Sequence, residues 1–228
     1  MTGRTVAVQA RADSVRNRRL LLRAATEAFA ECGVEVSMHT IAQRAGVAKG
    51  TVFRHFPTKE DLLAAIMMQL LDRLLETADR LLRADDAGRA LKDFMGHGIG
   101  LLAADRAFCD VIGRPSLQHA DVREAIDRLC DTVEDLTARA REQGAVRGDI
   151  TGTDIVLLLG GIHQTAQPLL DREPRAWERF LEIAFDGLRA RDRAALPHPP
   201  PARLGWRTRR ASLHRRGSDT KWHIIGVL

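Results

Sequence analysis

A chain of 228 residues with 45% hydrophobic content is long enough to bury a sizeable core and too apolar to be disordered over most of its length. Its net charge of +5 is unevenly spread: residues 1–60 carry +5, residues 61–192 carry −7 and residues 193–228 carry +7. Basic ends around an acidic middle suggest that the ends meet a polyanion while the middle does something else, although a basic face can equally be simple solvation. Cys32, Cys109 and Cys130 are far apart and form no CxxC, and no apolar run approaches membrane-spanning length. These features exclude a disulfide scaffold and a membrane span, and they fit a soluble cytoplasmic protein.

Helical periodicity with capping signals runs through most of the chain, and no alternating run marks a strand, so the expected class is all-α. Residues 1–13 read as a flexible basic arm. The first helix is predicted from about Ser14 to Cys32, with Leu21, Ala24, Ala25, Ala28 and Phe29 on one face, stopping at Gly33. A short helix capped by Ser37 and ending at Ala45 comes next, then a turn at Gly46 and a second short helix from about Ala48. Thr58-Lys59-Glu60-Asp61 has the form of a capping box and opens a long helix carrying Leu62, Leu63, Ile66, Leu70 and Leu74 into a second domain. Further helices are predicted at about 88–103, 105–112, 118–143, 152–170 and 174–190, with Gly113, Gly144 and Pro174 as boundary signals. Gly96, Gly98 and Gly100 count against the first of these. After Arg191 the pattern gives way to a proline cluster and scattered arginines, the composition of a disordered tail.

The segment 37–56 carries the functional signal. Two helices joined by so tight a turn cross steeply, so the crossing needs small side chains. Ala42, Gly46 and the apolar Ile41, Val47 and Val52 meet that need. In such a helix-turn-helix the second helix enters the major groove of DNA with its N-terminal half toward the base edges, which nominates Ala48, Lys49, Thr51 and Arg54. An ordinary helical hairpin has the same turn.

The longer string is more specific. Ala45-Gly46-Val47, then Lys49-Gly50-Thr51-Val52-Phe53-Arg54-His55-Phe56, then Lys59-Glu60 resembles the signature of the TetR family of transcriptional regulators over about residues 14–74. The resemblance implies a three-helix DNA-binding domain in which Ser37 and Thr40 lie near the phosphate backbone, Lys49 and Thr51 face the groove, and His55 and Lys59 contact phosphates. It also implies that Gly50 lets the backbone approach closely. Phe53 stands where the family commonly has tyrosine, and the chain contains no tyrosine, so the phosphate contact of that hydroxyl is missing and Phe53 is left between a groove role and core packing. Phe56 reads as core.

For residues 75–191, loosely similar to the C-terminal domains of SbtR-like members, the family implies a helical domain that binds a small-molecule inducer and dimerises through its last two helices. The helices at 152–170 and 174–190 are apolar enough for such a seam, with Ile155, Leu158, Leu159, Ile162, Trp177, Phe180, Leu181 and Leu188, and Gly160-Gly161 permits close approach. An internal core has the same composition. Polar or aromatic groups on apolar faces, namely Phe94, His97, Phe108, His119 and His163, are the candidates for an effector pocket. Their histidines lack the close spacing of metal ligands, so neither a metal nor a cofactor is expected.

The function expected is therefore that of a homodimeric repressor on a palindromic operator, released by an inducer. An architectural DNA-binding protein without an effector is the alternative. An all-helical enzyme is the rival from another class, and its usual signatures are absent: the chain has no Gly-x-Ser-x-Gly elbow, phosphate loop, His-Glu-x-x-His or dinucleotide-binding glycine fingerprint.

Overall fold

In the computed structural model the described residues are 2–33, 35–104, 119–190 and 194–200, with the side chains of residues 2–7 and 10 not described. They form eight α-helices: α1 (Thr2–Cys32), α2 (Met38–Ala45), α3 (Lys49–His55), α4 (Lys59–Leu81), α5 (Ala87–Ala104), α6 (Ala120–Glu142), α7 (Gly152–Ala166) and α8 (Ala176–Leu188). A single 3-10 turn, Gln167–Leu169, follows α7. The helix expected at 105–112 and residues 201–228 of the expected tail lie outside the described residues.

Helix α4 organises the chain. Its N-terminal half buries Leu62, Leu63, Ile66 and Met67 beside α1, and its C-terminal half buries Leu70, Leu71, Leu74, Leu75 and Ala78 beside α5 and α6. One continuous apolar core results, running from Leu21 in α1 to Leu188 in α8. The rest of the bundle layers α5 and α6 against α4, α7 against α5 and α6, and α8 against α5 and α7.

The residues expected to form a flexible arm are helical instead, because α1 starts at Thr2 and runs unbroken to Cys32. The stretch has no proline and contains several alanines and arginines, so nothing stops the helix from propagating outward from the part anchored by Leu21 and Leu22. The glycines of α5 do not break it either. A Cβ at Gly98 would stand 3.0 Å from the Leu159 side chain and 3.3 Å from Leu74, one at Gly96 3.4 Å from Leu181, and one at Gly100 3.5 Å from Trp177. Tertiary packing on three sides outweighs the propensity cost of about 1 kcal/mol per glycine. Pro174 lies ahead of α8, which begins two residues later.

Loops are fixed by side chains that reach backbone. Arg139 donates to the carbonyls of Leu82 and Ala84, and Gln143 accepts from Ala87 N–H at 2.8 Å while donating to Asp85 O at 2.7 Å. The chain leaving α8 folds back along the loop after α6. Val146 pairs with Arg189 in an isolated antiparallel bridge, Arg147 grips Asp149 through two nitrogens at 2.5 and 2.8 Å, and Asp149 accepts the Leu196 N–H at 2.7 Å. The Arg147 guanidinium and that N–H hold the Asp149 carboxyl down from 3.8 to about 2. A depressed carboxylate favours the folded form above its ordinary range, so the pairing is lost as pH falls from 3.8 toward about 2.

The tightest contact between helices is at Gly152, the first residue of α7. A Cβ there would come within 2.6 Å of Glu134 Cα and 2.8 Å of Cys130 O, both backbone atoms of α6. Replacing Gly152 by alanine is expected to cost about 1–3 kcal/mol, read as a lowered denaturation midpoint at constant protein concentration. Gly148→Ala, which meets nothing within 4 Å, is the control that stays near wild type.

Candidate nucleic-acid interface

The α2–α3 unit is built by local rules. Ser37 caps α2, its Oγ accepting the Thr40 N–H at 3.1 Å and lying 2.8 Å from Thr40 Oγ1. Gly46 ends the helix at φ 67°, the left-handed conformation that disfavours a side chain, and Val47 N–H closes the turn on Ala42 O at 3.1 Å. Ile41, Ala42 and Val52 are buried and Val47 half-buried, so the crossing is apolar and narrow as its sequence required. Arg44 pairs with Glu31 at 2.5 Å, tying the end of α2 to α1, and this hydrogen bond raises the Arg44 pKa.

Helix α3 touches the core through Val52 alone. Its remaining surface, with Ala48, Lys49, Gly50, Phe53 and Arg54 exposed and Thr51 and His55 half-buried, faces outward. Phe53 is 42% exposed whereas Phe56 is 2% exposed, so of the two rings only Phe56 is core. A Cβ at Gly50 would meet nothing within 4 Å: the fold itself does not require glycine there.

Next to α3, the capping box predicted at the start of α4 is present. Thr58 Oγ1 accepts the Asp61 N–H at 3.1 Å, and Asp61 Oδ2 accepts the Thr58 N–H at 3.0 Å and its hydroxyl at 2.8 Å. Lys59, half-buried, is thereby held at the first position of α4. Ser37 and Thr40 are exposed at the start of α2, where the unpaired amides of a first helical turn suit an anion. One cation is not evident from the helix-turn-helix signature: Arg18 of α1 stacks over the Phe56 ring at 5.3 Å. The spacing of Arg4, Arg11 and Arg18 at seven-residue intervals, leading to buried Leu22, is the signal that could have revealed it.

The five effector-pocket candidates are not gathered in one place. Phe94 is fully buried in the core and Phe108 lies outside the described residues. His97 is exposed, and partial burial together with Arg80 and Arg73 of α4 pushes its pKa down. His119 caps α6 and lies 3.8 Å from Asp61. Asp61 and Arg73 are twelve residues apart on α4, about 18 Å, so His97 and His119 do not share a pocket. His163 is 1% exposed in α7, and burial lowers its pKa. A groove of about 460 Å³ lies elsewhere, between α1, α4 and the end of α5, lined by Leu22, Ile66, Leu70 and Leu101 with Arg19, Arg23 and Arg73. Among the described residues no three His, Cys, Asp or Glu side chains converge as metal ligands, and no helix is long and apolar enough to cross a membrane.

A tight helix-turn-helix with an outward-facing second helix, carried on a helical bundle, defines the class as helix-turn-helix DNA-binding regulators. Residues 21–66 match the model of the bacterial regulatory proteins of the tetR family, and residues 86–190 match the SbtR-like transcriptional regulator C-terminal domain. The HTH-type transcriptional activator FasR of Mycolicibacterium smegmatis is 30% identical over 150 residues, 60% of this chain and 66% of that protein. The HTH-type transcriptional repressor Rv3405c of Mycobacterium tuberculosis is 43% identical over 94 residues, 36% of this chain and 49% of that protein. The chain thus spans about two-thirds and one-half of these curated relatives. The crystal structure of a TetR transcription regulatory protein from Mycobacterium vanbaalenii is 32% identical, covering 79% of this chain and 99% of that one with a TM-score of 0.53. The chain belongs to the TetR family of transcriptional regulators.

The geometry of the cap gives a direct test. Thr58→Ala removes the hydroxyl half of the capping box, leaving the backbone N–H of residue 58 to Asp61, and is expected to cost about 0.5–2 kcal/mol, whereas Thr58→Ser keeps the hydroxyl and most of the stability. Equal losses in the two variants by chemical denaturation would show that the hydroxyl of the cap contributes nothing.

Proposed function

We propose that this chain is a homodimeric repressor that binds a palindromic operator and is released by a small molecule bound in its C-terminal domain. The observation that carries the DNA reading is α3: buried through Val52 alone, it offers Lys49, Gly50, Phe53 and Arg54 on one open face beside the fixed Lys59. Lys49, Thr51 and Arg54 read base edges, with Ala48 and Phe53 in apolar contact, while Ser37, Thr40, His55 and Lys59 hold phosphates. Open space at Gly50 is what close approach of a sugar-phosphate chain requires. A repressor of this kind works where the operator is, in the bacterial cytoplasm.

The dimer seam is formed by α7 and α8, but not by all the residues the sequence suggested. Ile155, Leu159, Ile162, Leu181 and Leu188 are buried in the protomer's own core, and Gly160 is buried too. Half-buried Leu158, Trp177 and Phe180 and the 59% exposed Ile183 remain facing out, and Cβ atoms at Gly161 and Gly187 would meet nothing. Small and apolar residues left open on adjacent helices suit a close, two-fold four-helix contact. Release by an effector is supported by α4, which shares its length between the DNA-binding unit and the bundle, so a change in the bundle tilts the unit that carries α3.

Footprinting and gel-shift titration on selected genomic fragments test this reading. A two-fold site with half-sites one helical turn or a small multiple apart is expected, and a single unrepeated half-site bound by a monomer would refute it. Lys59→Ala weakens binding to all sequences alike and lowers the salt slope by about one, whereas Thr51→Ala relaxes preference at particular base pairs. Effector and operator weaken each other by one common factor, about 5–150-fold. An effector whose affinity ignored saturating operator would sink the release mechanism.

A further inference from the structure

The proposed interface uses α2, α3 and the start of α4, yet α1 continues well beyond the unit it belongs to. From Val8 to Arg19 no described side chain is buried, and Val8 and Val15 are 63% and 70% exposed; the core begins at Leu21. An isolated helical segment with no buried face has little to hold it in free solution. Its charge is one-sided as well, for residues 1–23 contain six arginines and one acidic residue, Asp13.

The place where this segment leaves the body matters most. Glu31, near the far end of α1, pairs with Arg44 at the end of α2. Arg18, thirteen residues earlier, lies over Phe56, the residue that closes α3 and precedes the α4 cap. Beyond Arg18 the helix therefore extends past the junction that presents His55 and Lys59. Positions 4, 11 and 18, all arginine, fall at two-turn intervals with Val8 and Val15 between them, giving a nearly straight stripe along one side of the helix.

We propose that the N-terminal extension of α1, residues 2–18, is a second DNA-binding surface that docks its arginine and valine stripe on the duplex flanking each half-site. The proposal rests on the operator reading above. Guanidinium groups pair with phosphates in two-pronged fashion, and the valines between them pack on sugar edges, so the surface adds affinity without reading sequence. At 1.5 Å per residue the extension is about 25 Å long, which spans about seven base pairs at 3.4 Å each. Contact with the polyanion supplies the partner that the helix lacks in the free protein.

The test compares the full chain with a version beginning at Ser14 and with the full-length double variant Arg4→Gln, Arg11→Gln, each titrated on the operator over a range of salt. Both altered proteins are expected to keep the wild-type melting temperature, dimer and base-pair preference. Both bind several-fold more weakly, and the double variant lowers the slope of log K against log salt by about two, near 0.9 for each phosphate that is no longer neutralised. The truncated protein also ceases to protect up to about five base pairs on each flank, the reach of the twelve helical residues removed. Unchanged affinity, slope and footprint, with the full chain still reading its palindrome, would overturn the extension alone. Loss of the dimer in either variant would assign the stripe to a second copy of the chain and overturn it too. A full chain that bound no palindrome would overturn the operator reading and this inference together.

Discussion

Helix α4 belongs to two sets of neighbours at once, and that shared membership constrains the rest of the molecule. A helix of 23 residues is about 34 Å long, enough to pack its first turns against α1 and its later turns against α5 and α6. Because the buried leucines and alanines follow one another without a gap, neither half can rotate freely against the other. The apolar core has no break at which a hinge could sit. Mechanical continuity of this kind turns a rearrangement in the bundle into a displacement of the capped N-terminus, where Thr58 and Asp61 hold Lys59.

The two ends of α4 are secured by different means. At its start the capping box is local and can be read from four consecutive residues. At its end the fixing comes from far along the chain, where Arg139 of α6 and Gln143 at its C-cap reach back to the 82–87 loop. A local cap costs little entropy to form, while the long-range clamp depends on α6 having already docked. The DNA-facing unit is thus nearly self-sufficient in its hydrogen bonds, and the bundle is not.

That difference explains what was legible in the sequence. The helix-turn-helix could be read almost to the residue, because Ser37, Gly46 and Thr58 act within three or four positions of themselves and apolar spacing gives the buried faces. Three glycines in α5 speak against a helix, and the side chains that explain them are distant in sequence: Leu74, 24 positions away, and Leu159, Leu181 and Trp177, 61 to 85 positions away. Of the residues expected at the seam, Ile155, Leu159, Ile162, Leu181 and Leu188 lie in the protomer's own core for the same reason. Composition marks α7 and α8 as rich in apolar residues but does not say which of them meet the protomer's own α5. The start of α1 is hard to read from sequence because its clearest periodicity is the seven-residue spacing of Arg4, Arg11 and Arg18, and a row of charges marks a solvated segment as readily as a helix. The candidate effector histidines share a chemistry but no distance that constrains them, and they lie apart on α5, at the start of α6 and inside α7.

Trp177 has a use that follows from its position and from the absence of tyrosine. It lies half-buried where α8 crosses Gly100 of α5, at the edge of the surface proposed to meet a second protomer. The other two tryptophans, Trp206 and Trp222, fall in the last 23 residues. A chain ending near Ala190 would therefore hold a single strongly emitting indole, with no phenol to mask it or feed it energy. Its emission colour and quenching by added iodide would then follow the wetting of that one surface, making subunit exchange visible by light without attaching a dye.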